Sequence, residues 1–214
     1  ELGAIDIHHF PDGESLVQLE TDVKGRDVIL FCSLDHPDSK AMTIMFFAQT
    51  AKELGAKSVD LIAPYLGYMR QDKRFHEGEA ITSNIFAAFL SQHFDNLITV
   101  DPHLHRHKAM NEIYTIPAKV VHAADAIADW IKDHVENPVL IGPDEESDQW
   151  VSDVAQRAGA AYTVLTKTRH GDKDVEVSVP DVDQYKDHTP VLVDDIISTA
   201  RTSIGAAGHL NEAG

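Results

Sequence analysis

Apolar positions along this chain switch repeatedly between a period of two and a helical period, and the switches outline a succession of short elements. Ile5 and Ile7 alternate with polar residues, which predicts a short strand running into a turn at Phe10-Pro11-Asp12-Gly13-Glu14. Asp27–Cys32 reads as a second strand. After a polar turn at Asp35–Ser39, the residues Ile44, Met45, Ala48, Ala51 and Leu54 recur at helical spacing up to Gly55, and they read as core rather than as a cofactor box. Ser58–Ala63 predicts a strand stopped by Pro64, and Thr82 or Ser83 is placed to cap a helix carrying Ile85, Phe86, Phe89 and Leu90 on one face. Leu97–Val100 is the next expected strand. Ala118–Val121 marks a boundary, beyond which the alternation resumes with a helix over Ala123–Asp133, a strand at Val139–Gly142, a helix through Ala158 and a strand at Tyr162–Leu165. A flap strand at Val175–Val179, a buried strand from Val191 and a helix over Ser203–Glu212 complete the series. This rhythm predicts the α/β class with mainly parallel sheets flanked by helices. Two domains are expected, residues 1–120 and 121–214, with no internal repeat strong enough to mark a duplication.

Composition narrows the function classes. With 43% hydrophobic and 25% charged residues in 214, the chain is an ordinary globular sequence, and no apolar run approaches the roughly 18 residues of a membrane span. No signal-peptide pattern opens it, and the single cysteine, Cys32, reads as a buried thiol of a reducing compartment, so a cytoplasmic location is expected. A formal net charge of −17 argues against nucleic-acid or membrane-surface partners, which require a basic face. It leaves room for a phosphate substrate, because Mg²⁺ and a local cluster of Lys and Arg reverse the field at one site. The first residue is Glu1 rather than Met, and Gly214 follows soon after the last helix begins. A fragment is therefore expected, with the second domain incomplete at its C-terminus.

The chemistry-bearing residues cluster where strands should end. After Val191-Leu192-Val193 come Asp194 and Asp195, then the small hydroxyls Ser198, Thr199 and Thr202 at the opening of a helix. Paired carboxylates suit vicinal sugar hydroxyls or a hydrated Mg²⁺, and hydroxyls at a helix N-terminus suit a phosphate, so together they point to a ribose 5-phosphate moiety. The plainer alternative is a solvated strand end with an ordinary cap. Arg70, Lys73 and Arg74 follow the strand before Pro64 and suit a polyphosphate, or are a solvated basic loop. His103, His105 and His107 alternate after Asp101. With no cysteine nearby and no Glu-x-x-His signature, Asp101 and His103 fit a Mg²⁺ hydration shell or a phosphate contact better than zinc, and His105 and His107 read equally as surface residues. Asp144, Glu145, Glu146 and Asp148 suit a diphosphate held through Mg²⁺, or are first-turn acids of a helix. Lys167 and Arg169, two apart in an extended segment, face the same way and could clamp a transferring phosphoryl group.

In order along the chain, these segments resemble the ribose-phosphate diphosphokinases, the synthetases of phosphoribosyl pyrophosphate (PRPP), with a type I phosphoribosyltransferase-like fold in each of two domains. Phe10-Pro11-Asp12-Gly13-Glu14 is similar to the family's Phe-x-Asp-Gly-Glu loop, which implies that Phe10, Asp12 and Glu14 contact the adenine of a neighbouring subunit. Pro64-Tyr65 through Arg70-Gln71-Asp72 resembles its ATP segment, and Asp101-Pro102-His103 its Asp-Leu-His, whose histidine serves the Mg²⁺–ATP site. Gly142-Pro143-Asp144 resembles the pyrophosphate loop with its metal-holding aspartate. Lys167-Thr168-Arg169 resembles the catalytic pair of the flexible loop, and Asp194, Asp195, Ser198, Thr199, Ala200, Arg201 and Thr202 the ribose 5-phosphate loop. The resemblance implies transfer of the β,γ-diphosphoryl group of Mg-ATP to O1 of ribose 5-phosphate, giving PRPP and AMP. Because the adenine loop serves a neighbour, it implies a homo-oligomer, at least a dimer. It places ATP binding and oligomer contacts in the first domain and the ribose 5-phosphate site in the second.

The sequence departs from the family's pattern at three places. Glu145 to Trp150 replace small glycines and an Arg–Ala after Asp144, Ser198 and Ala200-Arg201 replace an acid and a small or glycine pair, and His105-Arg106-His107 differs from the usual segment. These mark a divergent branch. The competing readings are a PRPP-using phosphoribosyltransferase, a catalytically silent regulatory homologue and a kinase that transfers only the γ-phosphate.

Overall fold

The computed structural model describes residues 1–169, 175–178, 182–200 and 203–208. The chain divides into two compact units, Glu1–Val121 and His122–Gly214.

In the first unit, β1 (Ile5–His9) and β2 (Ser15–Leu19) form an antiparallel hairpin, in register from Ile5 opposite Leu19 to His9 opposite Ser15. Strands β3 (Asp27–Phe31), β4 (Ser58–Ala63), β5 (Asn96–Val100) and β6 (Ala118–Val121) make a parallel sheet in that order. Helix α1 (Asp38–Glu53) crosses from β3 to β4, and α2 (Thr82–His93) from β4 to β5. Alternation along β4 puts Val59, Leu61 and Ala63 inward, against Ile44, Phe47, Ala48 and Ala51 of α1 and Phe86, Ala87 and Leu90 of α2. Burying each leucine of this core supplies about 1.5–3 kcal/mol. The capping expected from Thr82 or Ser83 does not form: Ile81 holds the N-cap position, and the Thr82 hydroxyl donates instead to Gln71 Oε1 at 2.9 Å. A hydroxyl at the first helical position is free to serve a neighbouring loop when one packs against it.

The second unit opens with α3 (Ala124–His134) and continues through β7 (Pro138–Gly142), α4 (Asp148–Ala158) and β8 (Ala161–Val164). An antiparallel ribbon of β9 (Thr166–Arg169) and β10 (Val175–Ser178) follows, then β11 (Thr189–Leu192). The expected flap residue Val179 lies outside the described residues, as does the 209–212 part of the expected last helix; residues 203–208 are helical. Strand β7 is central in the parallel order β11-β7-β8. Leu140 packs into one core with Ala128, Ile131, Val151 and Val154, whereas Val139 and Ile141 pack into another with Leu165 and Ala206. Burial on both faces is why this strand is a continuous apolar run while β4 alternates.

Helix α4 carries the chain from β7 to one side, and β11 returns to pair on the other side. The direction of connection therefore reverses at β7, and in open α/β sheets ligands bind outside the strand ends at such a reversal. Among the described residues no helix is long and apolar enough to cross a membrane.

Candidate active site

In the first unit three loops carry the residues singled out in the sequence. The tip of the β1–β2 hairpin is closed by backbone bonds from Phe10 N–H to Glu14 O at 2.8 Å and from Gly13 N–H to Phe10 O at 2.9 Å. The Asp12 carboxylate accepts the Glu14 N–H at 3.2 Å. Phe10 is left 40% exposed with its ring edge-on to His8, an apolar surface offered outward from a rigid turn.

The loop after β4 is anchored by close packing. A Cβ on the buried Gly67 would lie 2.9 Å from both the Leu34 carbonyl oxygen and Pro37 Cγ, so only glycine lets this loop rest on the loop after β3. Tyr68 follows at φ +65°, its hydroxyl bonded to Asp38. The left-handed region costs a residue with a side chain about 1–2 kcal/mol, and the strain here sits two residues before Arg70. Arg70 itself is exposed. Gln71 is tied to the start of α2 through the Thr82 hydroxyl and through the Ser83 N–H, 3.3 Å from its carbonyl oxygen. Asp72 turns inward: its side chain is fully buried, and Oδ1 accepts from Arg106 Nη1 at 2.7 Å. Arg74 Nε donates to Glu79 O at 2.9 Å, while the Glu79 carboxylate accepts the N–H groups of Phe75 and His76. Of the expected basic cluster, Arg74 thus braces its own loop and Lys73 lies 4.9 Å from the Phe75 ring.

The loop after β5 starts with Asp101 at φ +36°, its N–H directed to Val121 O at 3.1 Å. His103 is half-buried with its ring centroid 3.9 Å from that of His105. His107, read as a surface residue in one of the sequence alternatives, is instead largely enclosed, with its side chain 15% exposed and Nδ1 3.4 Å from Glu112 Oε2.

In the second unit the chain beyond β7 and β11 brings three carboxylates into one electrostatic neighbourhood. Val193 continues the pairing of β11, its N–H reaching Ile141 O at 3.0 Å, and this sets Asp194 beside the end of β7. Burial, the hydrogen bond and charge of Asp195 and the charge of Asp144 push the Asp194 carboxyl up to about 6. Asp144 is followed by a 3₁₀ turn at Glu145–Ser147, closed by the Ser147 hydroxyl and N–H, which donate to Asp144 O at 2.5 and 3.1 Å. A Cβ on Gly142 would lie 2.9 Å from Val164 Cγ1 and would also meet Ser147 Oγ, so the absence of a side chain there is a packing requirement. Ser198 and Thr199 are exposed, and Ala200 has φ +56°, its carbonyl accepting the Ile204 N–H at 2.7 Å. Arg201 and Thr202 lie outside the described residues. Lys167 and Arg169 hold alternate positions of β9, opposite Val177 and Val175 of β10.

Residues 1–93 match the family model of the N-terminal domain of ribose phosphate pyrophosphokinase, and residues 109–214 that of the phosphoribosyl transferase domain. A ribose-phosphate pyrophosphokinase of Methanobrevibacter smithii is 32% identical over 227 aligned residues, covering 100% of this chain and 75% of the relative. Another from Methanopyrus kandleri is 33% identical over 100% of this chain and 73% of the relative. The chain belongs to the ribose-phosphate pyrophosphokinase family. A crystal structure of phosphoribosylpyrophosphate synthetase from Mycobacterium smegmatis has the same fold, with a TM-score of 0.86 at 27% identity, covering 100% of this chain and 70% of that one.

Within the family fold, two of the departures acquire a physical reading. Ser147 closes the acidic turn after Asp144 without any glycine, because a single short side chain caps the Asp144 carbonyl. Ala200 holds the left-handed backbone that a glycine would adopt freely, at a cost of about 1–2 kcal/mol. Arg106, Glu79, Tyr68 and Ser147 have structural parts in these loops that sequence reasoning missed. Glu79 and Ser147 are local partners a few residues from the groups they hold. Arg106 and Asp72 are 34 positions apart, and no spacing signal links them.

Proposed function

We propose that the chain is a ribose-phosphate diphosphokinase, transferring the β,γ-diphosphoryl group of ATP to O1 of ribose 5-phosphate and releasing PRPP and AMP. The observation that carries this reading is the carboxylate group of Asp194, Asp195 and Asp144 at the reversal point of the second sheet, in a chain that also keeps the hairpin and Arg70-Gln71 loops of the first unit. A phosphoribosyltransferase needs only the former.

In the proposed mechanism Asp194 and Asp195 accept hydrogen bonds from the ribose hydroxyls, and Ser198, Thr199, Ala200, Arg201 and Thr202 hold the 5-phosphate. Phe10, Asp12 and Glu14 of a neighbouring copy and Arg70, Gln71 and His103 receive ATP. The O1–Pβ bond forms as the bond from Pβ to the α,β-bridging oxygen breaks; AMP leaves with that oxygen, and the O1 proton passes to solvent. Lys167 and Arg169 neutralise charge on the transferring group, so positioning and electrostatics carry the catalysis without a covalent intermediate. The hard oxygen donors fit a hydrated divalent cation, because mutual repulsion among the three carboxylates is relieved by positive charge. Mg²⁺ would be held by His103 on the nucleotide side and by Asp144 on the pyrophosphate side. When bound it supplies charge neutralisation to the polyphosphate. A cytoplasmic location accompanies this reading.

Chromatography of the nucleotide products tests the proposal: AMP in step with PRPP supports it, whereas ADP alone would move the chain to the simple kinases.

The Asp194 carboxyl gives the reaction a pH signature. Its position near 6 means it is ionised above and protonated below that value, and a ligand that needs the ionised form binds more weakly as pH falls through 6. KM for ribose 5-phosphate should rise several-fold, about tenfold at most per pH unit, between pH 7 and 5. The substrate's own phosphate, with a second pKa of about 6, titrates in the same range. The discriminating quantity is therefore the steeper rise in the parent than in Asp194→Asn. Equal slopes would remove Asp194 from ribose binding.

Sharing of the hairpin loop between copies makes a second prediction. A variant held monomeric by interface substitutions should keep its fold by circular dichroism and lose nearly all turnover. Full activity in a monomer by sedimentation would contradict the shared adenine site.

A further inference from the structure

We propose that Arg106 is a positioning residue for the nucleotide half of the site, locking the loop after β4 to the loop after β5. The inference rests on the diphosphokinase reading for the identity of the ligand, and on the geometry of the first unit for everything else. Arg106 stands three residues after His103. Its Nη1 donates to Asp72 Oδ1 at 2.7 Å, and the Asp72 side chain is 0% exposed. Its guanidinium also lies 5.8 Å from the centroid of the Phe75 ring, which carries Lys73 at 4.9 Å. One side chain of the β5 loop therefore grips two points of the segment that begins with Arg70 and Gln71.

Backbone contact accompanies this grip at the base of the two loops, where the Val100 N–H meets Pro64 O at 3.3 Å. Beyond that point the Asp72–Arg106 ion pair joins the loops. Among the described residues no hydrogen-bond partner reaches Asp72 Oδ2, so the carboxylate depends on Arg106 for its compensation. A buried charge deprived of its partner is far more costly than an exposed one. Without Arg106 the loop has to move to hydrate Asp72, and Gln71 and Arg70, immediately before it, move as well. Asp72 is accordingly the inner anchor of the segment rather than a group that meets ATP.

The test compares Arg106→Gln, Asp72→Asn, the double variant and Arg106→Lys, each first shown to unfold cooperatively. Arg106→Gln should raise KM for ATP about tenfold or more, leaving KM for ribose 5-phosphate within about twofold. Arg106→Lys keeps a cation on the carboxylate and should stay within about threefold of the parent. The double variant should be no worse than the poorer single one, as expected when two residues act through one contact. If Arg106→Gln fails to fold, the neutral double variant carries the test, because it removes the pair without stranding a charge, and it should show the same selective rise. An unchanged KM for ATP, an equal rise for both substrates, or additive effects in the double variant would overturn the proposal.

Amide exchange separates this inference from the enzymatic reading. If the parent protein forms no AMP, the diphosphokinase reading fails, yet Arg106→Gln should still lose protection in residues 70–79 and 101–107 together while the β1–β2 hairpin keeps its own. Unaltered protection in both loops would overturn the locking role whatever the reaction.

Discussion

Replacing Lys167 by alanine is expected to lower kcat by about 10²–10³-fold, the usual loss on removing one preorganised group that stabilises transition-state charge, or about 2.7–4 kcal/mol. KM for ribose 5-phosphate should stay within about threefold, because the sugar phosphate is assigned to the loop after β11 and the lysine to charge that develops on the transferring group. The basis is the place of Lys167 on the β9–β10 ribbon, which leaves the strand order β11-β7-β8 just after β8, together with Arg169 two positions on. Steady-state kinetics with each substrate varied in turn checks it. An unchanged kcat removes the lysine from the chemistry, and a loss confined to KM makes it a ground-state binding group.

The second large effect is expected at the carboxylate pair. Asp194→Asn combined with Asp195→Asn should weaken ribose 5-phosphate binding by about 10²–10⁴-fold, since hydrogen bonds to charged groups contribute about 1.5–3 kcal/mol each. The fold should survive and gain stability near neutral pH. Asp194 is raised to about 6 by burial and by its acidic neighbours, so its ionised form opposes folding once the pH exceeds that value. In the unfolded chain the same group ionises near 3.8, and its stabilising contribution is therefore lost as pH rises from about 4 to 6. A neutral amide has no such dependence. Isothermal titration with ribose 5-phosphate and thermal unfolding at pH 7 together measure both consequences. Retained affinity would dissociate the pair from the sugar, and a loss of stability would mean the carboxylates hold the loop rather than the ligand.

Elements with a single buried face were legible in the sequence because the pleat and the helical turn impose their periods directly. Val59, Leu61 and Ala63 alternate, and Ile44, Ala48 and Ala51 recur as a helix face must. Strand β7 was legible for the opposite reason: an unbroken apolar run from Val139 to Ile141 is what burial on two faces requires. The position of the candidate residues just beyond strand ends followed from the same pattern. What could not be read was the use of polar side chains across the fold. Thr82 sits where a cap is expected and bonds Gln71 instead, because a loop from β4 packs there. Asp72 stands in a basic, soluble-looking segment and is buried only because Arg106, far along the chain, reaches it. The left-handed backbone of Tyr68 and Ala200 likewise leaves no mark on the sequence, since neither residue type favours a positive φ, whereas Asp101 is of a type that tolerates it. Each lies in a loop after a strand, where strain is held by surrounding packing.

Diphosphoryl transfer and simple phosphorylation differ in which bond of ATP is broken. ³¹P NMR of the protein with Mg²⁺, ATP and ribose 5-phosphate carrying ¹⁸O at C1 follows that bond directly. The predicted result is AMP and PRPP rising in equal amounts, with the isotope-shifted signal on the diphosphate phosphorus joined to C1 and none on AMP. ADP with a singly phosphorylated C1 oxygen, or label carried into AMP, would contradict diphosphoryl transfer to O1.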